Sequence, residues 1–201
     1  QVPEAPRFFE AMVVGRDCSE LQPITSRICG ICSIGHSFAS LKATEAAFGL
    51  EVSEQTRRLR EILNHGENLQ SHILHVCYLV LPDLMRQPSV IPIASTHRDA
   101  VLLVTKLHRL ANETCDIIGG RTTHPIRTAI NGWTMLPSEK ELEELKKRHV
   151  EALDDLGTLV DIVASVADGI PDFVRETEYI SLTDPDEYTR YDGLIKSSDV
   201  E

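Results

Sequence analysis

At 201 residues the chain can bury a real core, and 42% hydrophobic with 25% charged residues is the balance of an ordinary globular protein. A formal charge of −11, with no basic–aromatic interleaving to offset phosphate repulsion, excludes a nucleic-acid-binding face. Five cysteines at 18, 29, 32, 77 and 115 are odd in number and widely scattered, which argues against a disulfide-built fold and for a reducing compartment, the cytoplasm.

Residues 1–28 lack a long hydrophobic period and read as loops and short strands. From Ser33 or His36 to Phe48, the alanine-rich run Ala39, Leu41, Ala43, Ala46, Ala47 predicts a helix closed by Gly49. Ser53 is placed to cap a long helix with Leu59, Ile62, Leu63, Leu69, Ile73, Val76 and Val80 as its apolar positions. Gly66 interrupts its middle, and Pro82 is expected to stop it. A third helix is predicted from about Thr96 to Ile118, carrying Val101, Val104, Leu107, Leu110 and Ile117, with Gly119-Gly120 as its terminator.

Residues 119–137 form a glycine- and proline-punctuated loop. Ser138 and Glu141 make a capping box for a fourth helix reaching about Ala167, with Leu142, Leu145, Leu153, Leu156, Leu159, Val160 and Val163 as its buried side. The cluster Lys146-Lys147-Arg148, following Glu139, Glu141, Glu143 and Glu144, reads as a solvated face with i,i+4 pairing. After Gly169 and Pro171 the chain is polar with tyrosines and suits short strands and turns. The expected fold is mainly α, a helical bundle-like core with irregular loops and a few short strands. It divides into a loop and short-strand region over 1–35, a helical core over 36–168 and an extended polar tail over 169–201, within a single domain or fragment of 1–201. No run approaches the roughly 18 apolar residues needed to span a bilayer, and no basic-then-apolar leader is apparent.

The chemistry concentrates at Arg27-Ile28-Cys29-Gly30-Ile31-Cys32, with His36 four residues beyond. A Cys-x-x-Cys turn lets two sulfurs converge on one ion, and thiolates favour zinc, copper(I), nickel or iron–sulfur centres over magnesium or calcium. The same spacing serves redox dithiols, and structural zinc completed by His36 or a second chain is a further reading. No dinucleotide-binding glycine motif, phosphate-binding loop or Gly-x-Ser-x-Gly elbow is present. His72 and His75, three apart, fit packing and hydrogen bonding better than a metal pair.

The run Arg27-x-Cys29-Gly30-x-Cys32-x-x-x-His36 resembles the N-terminal metal-binding signature of the large subunit of nickel-iron hydrogenases. Further matches in the same order are Pro6-Arg7-Phe8-Phe9-Glu10 with Gly15-Arg16, Ser71-His72-x-Leu74-His75 leading to Leu81-Pro82-Asp83, and Gly119-Gly120-Arg121-x-x-His124-Pro125. Glu178-Tyr179 through Tyr188, with Tyr191-Asp192-Gly193, is similar to the soluble cytoplasmic branch that works with nicotinamide or deazaflavin partners.

The resemblance implies a portion of the hydrogenase large-subunit fold, with Cys29 a terminal thiolate on nickel and Cys32 bridging nickel and iron. His36 would donate towards the bridging cysteine, Arg27 would steady the thiolates or the loop, and Glu10 would contribute to a magnesium site. Arg121 and His124 would lie in a loop near the iron–sulfur small subunit, which passes electrons on to further electron-transfer subunits. The family's second Cys-x-x-Cys, its proton-passing Arg-x-Glu-Gly-His segment and its arginine over the iron ligands have no counterpart in these 201 residues. The expectation is therefore an N-terminal fragment of an H2-oxidising or proton-reducing enzyme, inactive as an isolated chain and holding neither the nickel–iron centre nor magnesium by itself. The different-class alternative is a non-catalytic scaffold or interaction module from a degenerate or split hydrogenase-like protein, or a zinc- or dithiol-binding protein. Standing alone, the chain would be expected to self-associate as a homodimer.

Overall fold

A computed structural model describes residues 6–200. Helices α1 (Pro6–Val13) and α2 (Cys18–Thr25) occupy the stretch expected to hold loops and short strands, which corrects that reading. Each has eight residues, too short to establish a hydrophobic period. The local signal is a cap: the Asp17 carboxylate accepts from Ser19 N–H at 2.9 Å, and Glu20 accepts from Asp17 N–H at 3.2 Å.

Helix α3 (Ser33–Phe48) ends as predicted at Gly49, whose φ of 63° is the left-handed cap conformation. Helix α4 (Glu54–Ile73) is capped by Ser53, whose hydroxyl oxygen accepts from Thr56 N–H at 3.2 Å. A π-helical stretch, Leu74–Val80, follows and runs directly into α5 (Leu81–Leu84). Pro82 therefore does not stop the helix. Proline lacks an N–H and crowds the carbonyl four residues back, and here bonding has already shifted to five back, with Leu81 N–H on Val76 O. The helix ends only near Arg86, at φ 55°. Helix α6 (Val90–Thr96), capped by Ser89, precedes α7 (Arg98–Gly119).

A two-residue hairpin, β1 (Thr128–Ala129) with β2 (Gly132–Trp133), interrupts the loop before α8 (Glu139–Glu151). The predicted capping box opens α8: Glu141 accepts from Ser138 N–H at 2.7 Å and donates its own N–H to the Ser138 hydroxyl at 3.3 Å. The single fourth helix breaks at Ala152, whose N–H is shared between the Arg148 and His149 carbonyls, and resumes as α9 (Leu153–Ala164). The inward stripe becomes Ala152, Leu156, Leu159 and Val163, while Leu153 and Val160, expected to be buried, are 61% and 58% exposed. The tail forms an antiparallel hairpin of β3 (Ile180–Thr183) and β4 (Leu194–Ser197), with Ile180 opposite Ser197.

The chain forms two compact units: residues 1–67 with 112–145, and residues 68–111 with 146–201. In the first, Ile34, Phe38 and Leu41 of α3 are buried, as are Leu59 and Leu63 of α4 and Cys115 and Ile118 of α7. Gly66 is there for packing: a Cβ would sit 3.1 Å from both Cys115 Sγ and Thr114 Cγ2, so α4 and α7 approach closely because it has none. Fully buried Arg60 forms a two-point pair with Glu45 at 2.6 and 2.8 Å. Arg60 also donates to Ala129 O, and Glu45 accepts from Asn131 N–H, so the β1–β2 hairpin is tied to α3 and α4. In the second unit Ile73, Cys77, Leu81, Ile93, Val104, Leu107, Leu110 and Leu159 are buried. Lys106 pairs with Asp155, and the rings of Tyr78 and His108 lie 5.6 Å apart. No helix among the described residues is long and apolar enough to cross a membrane.

Candidate functional site

The two motif cysteines sit in the turn between α2 and α3. Helix α2 closes through Arg27 N–H to Ile24 O and Ile28 N–H to Thr25 O, and α3 begins one residue after Cys32. Cys29 Sγ accepts from Cys32 N–H at 3.1 Å and from Ile31 N–H at 3.4 Å, so the backbone curls around one sulfur. Burial pushes the Cys29 thiol up, but the Cys32 thiol and these two N–H groups outweigh it and bring it below its ordinary value. Burial, the Cys29 sulfur and the Glu67 charge push Cys32 up to about 11. The turn thus favours the thiolate form at Cys29 and the thiol form at Cys32. Gly30 has no left-handed φ, and a Cβ there would meet nothing within 4 Å, so in this turn the glycine meets no steric demand.

Groups from elsewhere in the sequence grip this turn. Glu67 on α4 is 4% exposed, and its carboxylate accepts from Ile34 N–H at 2.6 Å and Gly35 N–H at 3.0 Å, the first turn of α3. His124, in a left-handed conformation at φ 57°, donates its backbone N–H to Ser33 Oγ at 2.9 Å. Its ring Nδ1 donates to the Ser26 carbonyl at 2.7 Å. The Gln22 amide donates to Ser37 Oγ, Pro125 O and Thr128 Oγ1 at 2.8, 3.0 and 3.1 Å, joining the loop after α7 to α2 and α3.

Sequence reasoning singled out His124 but missed Glu67, Gln22, Ser26 and Ser33. Glu67 did leave a signal, since a carboxylate falls four residues after Leu63 on the otherwise inward stripe of α4. The hydrogen-bonding serines and Gln22 carry no comparable mark.

The other predicted residues are more dispersed. His36 lies half-buried one turn into α3, with its backbone N–H on Cys32 O at 3.2 Å. Arg27 and Arg121 are exposed. Glu10 is exposed on α1 and pairs with Arg7 at 3.5 Å. His72 is exposed on α4, and its ring bonds back to Asn68 O at 2.8 Å. Among the described residues no three Cys, His, Asp or Glu side chains gather closely enough to hold a metal ion. The donor set at the turn, two cysteine sulfurs, fits one side of a four-sulfur soft-metal centre and does not complete it. Magnesium needs several oxygen ligands, of which Glu10 offers one carboxylate.

Comparison with known proteins gives this turn its context. The family model for nickel-dependent hydrogenases matches residues 7–94, which contain both cysteines. The alpha chain of sulfhydrogenase 2 from Pyrococcus furiosus is 36% identical over 165 residues, 82% of this chain and 40% of that protein. The chain is a homologue of the nickel-dependent hydrogenase large subunit. The vhu F420-non-reducing hydrogenase protein of Methanocaldococcus jannaschii is 28% identical to this homologue over 204 residues, covering 96% of it and 49% of that protein. Among solved structures, an NAD+-reducing [NiFe]-hydrogenase in its H2-reduced state superposes with a TM-score of 0.85 at 25% identity, covering 94% of the homologue and 45% of that chain. The Ni-Fe-Se hydrogenase of D. vulgaris Hildenborough gives 0.71 at 28% identity, over 82% and 37% of the two chains. The mainly helical fold with a few short strands is thus that of a hydrogenase large subunit, and the homologue spans less than half the length of these relatives.

Proposed function

We propose that this chain supplies one side of the sulfur cage of a nickel–iron centre, as the N-terminal part of a hydrogenase large subunit that oxidises H2 or reduces protons. Cys29 and Cys32 would hold that centre from this side, Cys29 as a thiolate towards nickel and Cys32 as a thiolate towards nickel and iron. The observation that carries this reading is the turn itself: two thiols held side by side, one accepting two backbone N–H bonds, within a segment similar to nickel-dependent hydrogenases. When bound, the bimetallic centre supplies heterolytic cleavage of H2.

This chain's residues contribute soft donors and their orientation. The curl of Ile31 and Cys32 N–H groups aims the Cys29 sulfur, and His124 and Gln22 hold the two sides of the turn in register. Arg27, His36 and Arg121 act around the sulfurs and the neighbouring loop without ligating. Two sulfurs do not retain a bimetallic cluster that four anchor, so the remaining thiolates come from outside these residues and the isolated chain does not turn over H2. Glu10 joins a magnesium site only with carboxylates or carbonyls beyond this chain's own. The partners are electron-transfer subunits and an iron–sulfur small subunit. Likeness to an NAD+-reducing [NiFe]-hydrogenase supports a cytoplasmic enzyme of the nicotinamide-linked kind.

Metal analysis of the purified chain, paired with H2-dependent viologen reduction, tests this. The expected result is nickel well below one equivalent and no turnover. One equivalent each of nickel and iron with turnover overturns the ligand count, and one equivalent of tightly held zinc lost in Cys29→Ser overturns the nickel assignment.

A further inference from the structure

We propose that Glu67 is the positioning residue of the cysteine turn, a buried carboxylate that fixes where α3 begins and so where the Cys32 sulfur stands relative to Cys29. This rests on the reading of the pair as metal donors. The first N–H groups of a helix have no partner inside it and bond to whatever acceptor is nearest. At most helix starts that acceptor is the residue just before, yet Cys32 occupies that position and makes no side-chain cap. Glu67, more than thirty residues away in sequence, takes its place, with both carboxylate oxygens engaged on successive N–H groups at 2.6 and 3.0 Å.

Three consequences follow from that geometry. The N–H groups of Ile34 and Gly35 are spent on Glu67, so the Cys29 sulfur receives its backbone bonds from Ile31 and Cys32. The two cysteines are thereby made unequal by the backbone of the metal-free chain. Second, a charged acceptor on two amides is among the stronger hydrogen-bonding arrangements, and its burial leaves no water to replace it. Third, the carboxylate is carried on α4, whose neighbouring Leu63 and Gly66 are packed against α7, so the clamp stands on a rigid element rather than a loop. A ligand held within a few tenths of an ångström by its supporting groups binds metal more tightly than the same ligand on a loose turn.

The test compares the full chain with Glu67→Gln and Glu67→Ala, using cobalt(II) alone as the probe and the sulfur-to-cobalt charge-transfer absorption as the readout. Cys29→Ser is the control for the site. Gln keeps one neutral acceptor and Ala keeps none, so affinity for cobalt is expected to fall roughly 3–10-fold in Gln and roughly 10–100-fold in Ala, the range seen when groups supporting metal ligands are removed. Hydrogen exchange of the metal-free chain gives a second readout. In Glu67→Ala the amides of Ile34 and Gly35 are expected to lose protection while those of Leu41 to Glu45 keep it. Unchanged cobalt affinity in both variants overturns the proposal, as does a uniform loss of protection along α3, which would make Glu67 a support of the helix rather than of the turn. Wild-type chain that binds cobalt no better than Cys29→Ser defeats the metal-donor reading instead, and the exchange result then decides the clamp separately.

Discussion

His124 Nδ1 and the Ser26 carbonyl oxygen lie 2.7 Å apart, across 98 residues of sequence. A carbonyl can only accept, so this ring nitrogen carries the proton. The same residue sits at φ 57°, a conformation that disfavours any side chain by about 1–2 kcal/mol. His124→Ala keeps that strain and removes the bond, so it should destabilise the chain by about 1–3 kcal/mol. His124→Gly also relieves the strain and should be the more stable of the two. Denaturant melts of the three proteins check this, and an alanine variant within about 0.5 kcal/mol of the parent would mean the contact holds nothing.

Arg60 and Glu45 should behave as one unit. Removing either partner leaves a buried charge unpaired, for which about 3–5 kcal/mol is typical. Arg60→Met with Glu45→Leu should lose much less than the two single changes summed, because neither charge then remains. The pair also sets an acid limb. Burial pushes the Glu45 carboxyl up, but bonds from Arg60 and Asn131 N–H hold it below the usual range. A carboxylate depressed on folding gives stability that is present above its unfolded value of about 4.3 and is lost as pH falls through the folded value. Stability measured from neutral to acid pH should therefore fall in the parent below about pH 4.3 and fall less steeply in the double variant. Parallel curves would remove Glu45 from the account.

The sequence disclosed what is written locally. Gly49 ended α3 and the Ser138–Glu141 box opened α8 because each signal involves neighbours a few residues apart. Helix α2 was missed although Asp17 and Glu20 spell the same box, because the reading relied on period and eight residues supply barely two turns. Pro82 misled because its usual effect assumes i→i−4 bonding, and the π-helical stretch ahead of it had already changed the pattern. At the site the cysteine pair was legible from spacing alone. Its support was not, since Glu67, His124 and Gln22 act through backbone amides and carbonyls that any residue could present.

Two glycines near the site should respond oppositely to alanine. At Gly120, φ is +80° and a Cβ would come within 2.8 Å of Arg127 Cγ and 2.9 Å of Ile126 Cγ1. Gly120→Ala should destabilise by about 1–3 kcal/mol and disturb the loop that carries His124. Gly30, with open space around it and no left-handed φ, should accept alanine in the metal-free chain with a change between zero and a gain of about 1 kcal/mol. Equal losses at both positions, measured by chemical denaturation, would show that the turn demands glycine for a reason the metal-free geometry does not contain.

Cys77 and Cys115 should be silent to alkylation while the chain is folded. They are 3% and 0% exposed. Burial lifts Cys77 to about 11, and burial with the Glu67 and Asp116 charges lifts Cys115 to about 12. The reactive thiolate is then roughly 0.1% of Cys77 and roughly 0.01% of Cys115 at about pH 8, before access is considered. Iodoacetamide followed by peptide mass spectrometry should label the partly exposed Cys18 and Cys29 and leave these two untouched, and all five should react in concentrated guanidinium. Because Cys115 lies against Gly66 where α4 meets α7, and Cys77 lies in the second unit, the two thiols report separately on the two cores. Labelling of folded Cys115 at the rate of Cys18 would show the α4–α7 contact opening on the timescale of the reaction, and the support beneath Glu67 would be looser than its burial implies.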